Sequence, residues 1–140
     1  MAEQRVATEL LAGLSLFTDL SGPQLEAAAH TFGEETFSAG ERILRQGFTG
    51  SGFYVVLDGE VMVYIDGQER SRLTRGEYFG EISALLDEPP TADVVAVTDC
   101  RCLSLSAPEL PAFLQSFPPV AYRLLQAEAR RVKAGDRWRG

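Results

Sequence analysis

Hydrophobic and polar residues alternate with two different periods along the chain, and the change of period divides it into three regions. In the first thirty residues the apolar positions recur at helical spacing. From Thr36 to about Leu105 they alternate in short runs separated by glycine-containing turns, and then the helical spacing returns. Many short strands joined by such turns are typical of an antiparallel β-roll or jelly-roll barrel. We therefore predict a mainly β, α+β fold in a single domain spanning residues 1–140, with helices at about 5–31, the roll at about 36–105 and further helices at about 107–134.

Two short polar patterns predict where helices begin. Ser21 is followed three residues later by Gln24, and Ser106 is followed at the same distance by Glu109. In this capping-box arrangement the serine side chain accepts from a free backbone N–H, and the Gln or Glu side chain reaches back to the serine N–H. We therefore expect both patterns to cap helices.

The strand region contains two segments with a clear internal pattern. Val61–Ile65 runs into Asp66-Gly67, which predicts a hairpin with a type I′ turn because glycine adopts positive φ readily. Alternation in Cys100–Leu105 predicts two distinct faces. One face carries Cys100, Cys102 and Ser104, and the other carries Arg101, Leu103 and Leu105.

The last predicted helix, Val120–Lys133, has one long apolar stripe, and the chain is expected to fray from Gly135. The stripe must be buried, either on the roll or on a second copy of the same helix. It consists of Ala121, Leu125, Ala129 and Val132, with Val120 and Leu124 beside it.

Charge is distributed unevenly along the 140 residues, whose net charge is −7. Residues 121–140 hold six Lys/Arg and two Asp/Glu, and the rest of the chain holds seven Lys/Arg and eighteen Asp/Glu. An acidic body argues against binding to a nucleic-acid backbone, so we expect no direct DNA contact. We interpret Arg130, Arg131 and Lys133 as basic residues that complement the dipole at their own helix end.

Several classes of protein are disfavoured by the sequence. No apolar run is long enough for a membrane span or resembles a signal peptide, so we expect a cytoplasmic protein without membrane contact. Cys100 and Cys102 are interpreted as reduced, structural residues. A single histidine, His30, cannot build a histidine-rich metal site, and no nucleophile–base pair is evident, so we expect neither a metal nor catalysis.

Four glycine-containing motifs follow one another in the strand region. They are F-S-A-G-E-R-I-L-R-Q-G at 37–47, F-Y-V-V-L-D-G-E-V at 53–61, G-E-Y-F-G-E at 76–81, and F-G-E-I-S-A-L-L-D-E-P-P-T-A at 79–92. In residue types, order and spacing they resemble the motifs of the cyclic nucleotide-binding domain family. The resemblance extends from about Leu14 to Leu125.

The resemblance implies that residues 79–92 form a phosphate-binding cassette. In the family, free N–H groups at the start of a short helix face the cyclic phosphate. Ile82 and Ser83 would supply those groups, and Glu81 would accept from the ribose 2′-OH. The implied ligand-binding residues are Phe79, Gly80, Glu81, Ile82, Ser83, Thr91 and Ala92.

One residue departs from the family pattern, because the cassette arginine that pairs with the phosphate is replaced by Pro90. Strand alternation does not establish whether another arginine points inward and takes its place. The candidates are Arg72, Arg75 and Arg101. A local role also explains the acid at Glu81, which is favourable at any helix N-terminus.

The resulting expectation is a non-enzymatic regulatory module without a cofactor that binds cyclic AMP or cyclic GMP, weakened by the missing cation. The element that responds to ligand would be Val120–Lys133. Two alternatives stay open. In the first, the cassette is a degenerate scaffold, and the module works by self-association or by docking to an effector protein through its last helix. In the second, the roll binds and senses another small molecule.

Overall fold

Helices and strands follow one another in the predicted order. The computed structural model describes residues 8–48 and 52–139, with side chains described as far as residue 135. The elements are helix α1 (described over residues 8–12), a 3-10 turn (Ser15–Phe17), α2 (Gly22–Thr31), β1 (Gly33–Phe37), β2 (Arg42–Leu44), β3 (Gly52–Asp58), β4 (Val61–Ile65), β5 (Gln68–Leu73), β6 (Tyr78–Phe79), α3 (Glu81–Leu86), β7 (Asp93–Ala96), β8 (Cys100–Ser106), α4 (Glu109–Ser116) and α5 (Pro118–Arg139).

The strands form two four-stranded antiparallel sheets, in the orders β1-β8-β3-β6 and β2-β7-β4-β5. The predicted β-roll with flanking helices is confirmed. Apolar residues of both sheets meet in one core, and the helices cover the first sheet through a second core. Burial of both cores supplies the main driving force for this arrangement.

Strand β8 contributes to both cores, as its alternation predicts. Cys100 and Cys102 lie in the core between the sheets, whereas Leu103 and Leu105 lie in the core beneath the helices. Burial raises the pKa of both thiols, which are free. Arg101 points to the edge of the sheet, where it pairs with Glu34 of β1.

Local sequence signals were correct for one helix start and wrong for the other. Ser21 N donates to Gln24 Oε1 over 2.9 Å and Gln24 N donates to Ser21 Oγ over 3.3 Å, so the first capping box is confirmed. Glu109 accepts from Ser106 N and Oγ, but α4 has no side-chain cap. Residues 107–108 form a turn, so the helix begins at Glu109 itself, too late for Ser106 to cap it.

The hairpin between β4 and β5 has the predicted turn. Asp66 and Gly67 both adopt positive φ, at 52° and 78°, as a type I′ turn requires. The turn is held from outside, because the Gln46 side chain exchanges two hydrogen bonds with Asp66.

Helix α5 differs from the prediction in length and in orientation. It continues to Arg139, through the expected fray, and Gly135 within it is buried. Val120 and Leu124 face the core with 1% and 4% of their surface exposed, whereas Leu125 and Val132 are 65% and 67% exposed. The stripe predicted to be buried on the roll or on a second copy is thus not covered by the roll. Among the described helices, none is long and apolar enough to cross a membrane.

Two glycines with similar backbone angles allow a matched test of the space at the start of α3. Gly80 and Gly67 have φ of 82° and 78°, but a Cβ would collide with the Gly52 carbonyl oxygen only at Gly80. We expect Gly80→Ala to lower the free energy of unfolding by about 2–4 kcal/mol, and Gly67→Ala by about 1–2 kcal/mol, in urea denaturation. Equal losses at the two positions would show that backbone conformation alone, and not the contact with β3, requires glycine at 80.

Candidate ligand-binding site

The segment after β6 is a tight turn into a short helix. Gly80 is the N-cap of α3 in a left-handed conformation that brings its backbone against Gly52 of β3. The helix has six residues and ends at Asp87, which is also left-handed and donates its N–H to the Ser83 carbonyl. Ser83 is buried and its Oγ donates to the Gly80 carbonyl over 3.3 Å. The hydroxyl therefore has a local structural role in this state.

A cavity of about 450 Å³ opens between this segment, the second sheet and α5. Small-molecule sites in proteins have volumes of this order. The cavity brings together all the residues that the family resemblance implies as ligand-binding. They are Phe79, Gly80, Glu81, Ile82, Ser83, Thr91 and Ala92. Their contact with a ligand stays a prediction.

Position 90, where the family resemblance implies an arginine, presents a buried proline ring to the cavity. Its carbonyl accepts from Gly47 N over 2.9 Å, which ties the loop to the segment before β3. Two of the three arginines considered as substitutes are committed to other partners. Arg72 pairs with Glu60 over 3.2 Å, and Arg101 pairs with Glu34.

The cation nearest to the cassette carboxylate comes from α5 instead. Arg131 Nη1 lies 2.9 Å from Glu81 Oε2, and Nη2 donates to the Tyr78 carbonyl over 2.7 Å. The guanidinium lies 4.0 Å from the centre of the Tyr78 ring, so a cation–π contact adds to the hydrogen bonds. The Tyr78 hydroxyl donates to Glu128, one turn earlier on α5, over 2.7 Å. These four residues join the cassette to the helix.

The sequence did not reveal the role of Arg131. The basic residues of the tail were interpreted as complementing a helix dipole, and for Arg131 that interpretation is wrong. Arg131 lies eight positions before the last residue of α5, so it precedes the final turn, where the dipole acts. Its side chain points into the cavity. The signal that could have found it is the pair of opposite charges Glu128 and Arg131, three residues apart on the helix.

The carboxyl group of Glu81 has an unusual environment, because it is 5% exposed and has a second carboxyl group nearby. Burial raises the pKa of Glu81 to about 7; the charge of Arg131 opposes this shift, and Glu128 adds to it. Burial, together with the hydrogen bond to Glu128, also raises the pKa of Tyr78 well above its usual range. Within residues 8–48 and 52–139 there is no group of three His, Cys, Asp or Glu side chains arranged to hold a metal.

Comparison with known proteins identifies the family. A family model described as the cyclic nucleotide-binding domain matches residues 34–117, which is more than half of the chain. The chain therefore belongs to the cyclic nucleotide-binding domain family.

Three similar proteins illustrate the relationship. The Cyclic AMP receptor protein of Thermus thermophilus is 33% identical over 129 residues, covering 89% of this chain and 60% of that protein. The cGMP-dependent protein kinase of Plasmodium berghei is 33% identical over 116 residues, covering 83% of this chain and 14% of the kinase. The crystal structure of the Thermus thermophilus Catabolite Activator Protein has a TM-score of 0.78 and 33% identity, covering 86% of this chain and 59% of that chain. The chain thus spans three-fifths or less of the length of these proteins.

The raised pKa of Glu81 predicts how stability changes with pH. The carboxyl group ionises near 4.5 in the unfolded chain and near 7 in the folded one, so between these values the folded state binds more protons. Stability should therefore fall as pH rises through this window. We expect the wild type to lose on the order of 1–3 kcal/mol of unfolding free energy relative to Glu81→Gln between about pH 5 and pH 8, measured by urea denaturation. A relative gain would mean that the attraction to Arg131 outweighs burial.

Proposed function

We propose that this chain is a non-enzymatic regulatory module that binds a cyclic nucleotide weakly in the cavity between the cassette and α5. The observation that carries the proposal is the position of the cavity between two elements. The cassette forms one wall, and α5, held by the ion pair between Arg131 and Glu81, forms the other. A ligand that enters this space touches both elements. Its binding free energy can therefore change how α5 packs.

The cassette residues take distinct roles in this proposal. The backbone N–H groups of Ile82 and Ser83 face the phosphate, and Glu81 accepts from the ribose 2′-OH. Glu81 already accepts from Arg131, so the ligand has to share or replace that contact. Exchange between the sugar and Arg131 provides the link between an occupied cavity and a displaced helix.

Affinity is reduced by the proline. A hydrogen bond to a charged group contributes about 1.5–3 kcal/mol, so losing an arginine partner weakens binding by at least about tenfold. The dipole at the N-terminus of a helix stabilises a bound anion by only about 0.3–2 kcal/mol. The relatives named for cyclic AMP and cyclic GMP support this ligand class, and the free, buried Cys100 and Cys102 fit a cytoplasmic location.

Titration with cyclic nucleotides tests the proposal. We expect cyclic AMP or cyclic GMP to bind with a dissociation constant approaching the millimolar range by calorimetry, and Pro90→Arg to bind at least about tenfold more tightly because it restores the cation. Pro90→Ala is the matched control, since it removes the ring without adding charge. Trp138 is the only tryptophan in the sequence, so its fluorescence gives a further readout of binding, and Trp138→Phe should abolish any such signal. Absence of heat, thermal shift and fluorescence change at millimolar ligand would refute the proposal.

A second candidate function, self-association through α5, is favoured by one specific observation. Tyr122, Leu125, Ala129 and Val132 form an exposed stripe, in which the three larger residues are 61%, 65% and 67% exposed. Their separations of three, four and three residues match the seam of a two-stranded coiled coil. We propose that a second copy of the chain covers the stripe.

Light scattering across a concentration series tests self-association. The wild type should approach twice the 15.3 kDa chain mass as concentration rises, because the seam is short and the dimer therefore weak. Leu125→Asp should keep the chain monomeric at all concentrations. Leu86→Asp places the same charge on a leucine that is 60% exposed outside the stripe, and should leave the dimer intact. A wild type that stays monomeric at the highest concentration, or equal effects of the two substitutions, would exclude this interface.

A further inference from the structure

We propose that the cavity prefers an uncharged nucleoside to the corresponding cyclic nucleotide. This inference deepens the proposed function and depends on it, since it concerns the ligand class of the same site. It follows from the charges that face the cavity, from the surroundings of position 90 and from the division of the walls into an apolar and a polar part.

The charged cluster beside the cassette already has more carboxyl groups than cations. Arg131 is shared between Glu81 at 2.9 Å and Glu128 at 3.7 Å, so this cluster holds two carboxyl groups and one cation. Arg72, at the edge of the cavity, pairs with Glu60. A ligand phosphate would add a negative charge beside a cluster that has no cation to spare. Moving a phosphate out of water without a cation to pair with it costs free energy, and this cost strongly opposes binding.

The place where the family pattern supplies a cation is apolar in this chain. Pro90 is buried, has no N–H group, and its carbonyl is bonded to Gly47. The buried Ser83 hydroxyl donates to the Gly80 carbonyl within its own turn. Helix α3 has only six residues, and Glu81 already places an acid in its first turn. The cassette therefore offers a phosphate the backbone N–H groups of Ile82 and Ser83 but no cation.

The remaining walls suit a ligand with one apolar and one hydroxylated end. Leu44, Val63, Leu73 and Val94 of the second sheet line one part of the cavity, and the Glu81–Glu128 cluster lines another. A flat base fits against apolar walls, and sugar hydroxyl groups donate to carboxylate oxygens. A purely apolar ligand would form no hydrogen bond with the carboxyl groups, whereas a free sugar would leave the apolar walls uncovered. The nucleoside is the class that satisfies both.

Parallel calorimetric titrations of the full chain with adenosine, guanosine, cyclic AMP and cyclic GMP test the inference. We expect at least one nucleoside to bind about tenfold or more tightly than its own cyclic monophosphate. Pro90→Arg should reverse that preference, and Pro90→Ala should keep it. Arg130→Ala removes an exposed cation at the rim of the cavity and should leave the wild-type ratio unchanged.

The outcomes separate this inference from the proposed function. Tighter binding of the cyclic nucleotide by the wild type would overturn the inference and leave the proposed function standing. A large loss of cyclic nucleotide binding in Arg130→Ala would also overturn it, because it would identify Arg130 as the missing cation. If none of the four compounds binds, both proposals fail.

Discussion

The ion pair between Arg131 and Glu81 is the contact on which the candidate site depends. It joins residues fifty positions apart, one on α5 and one at the start of α3, over 2.9 Å. The same guanidinium bonds the Tyr78 carbonyl and stacks on the Tyr78 ring, so three interactions fix the helix against the roll. This contact adds to the burial of Val120 and Leu124 in holding α5 as a wall of the cavity. With it, the carboxyl group that a sugar would use is occupied by the protein itself.

A consequence of this arrangement is that α5 has two faces with different partners. Val120, Leu124 and Arg131 face the roll and the cavity, whereas Tyr122 and Leu125 face outward. In the proposals made above, a ligand contacts the first face and a second copy of the chain covers the second. Because both act on one rigid helix, a change in packing on one face alters the position of the other. Under these proposals the module would connect a small molecule to a protein contact.

The electrostatics of the cavity are set by opposing effects on Glu81, of which burial is the largest. Burial favours the neutral form of Glu81, and Arg131 favours the charged form, while Glu128 brings a second carboxyl group to the same place. A cluster of this kind responds to small changes, such as an incoming hydroxyl group or a shift of the helix. The buried proline at position 90 adds no charge to the cavity. This arrangement is the basis for proposing a ligand held by hydrogen bonds and apolar contacts more than by charge.

Patterns that depend on neighbours a few residues apart could be interpreted from the sequence alone. The cap at Ser21 and Gln24, the turn at Asp66-Gly67 and the two faces of β8 are local, and the ordered motifs were enough to predict the roll and to bring the cassette residues to one cavity. The orientation of α5 was decided only by tertiary packing. Helical periodicity shows which residues share a face, but which face is buried depends on the surface it meets. Arg131 found its partner across the fold for the same reason, since a charge pair between distant residues leaves no local pattern in the sequence.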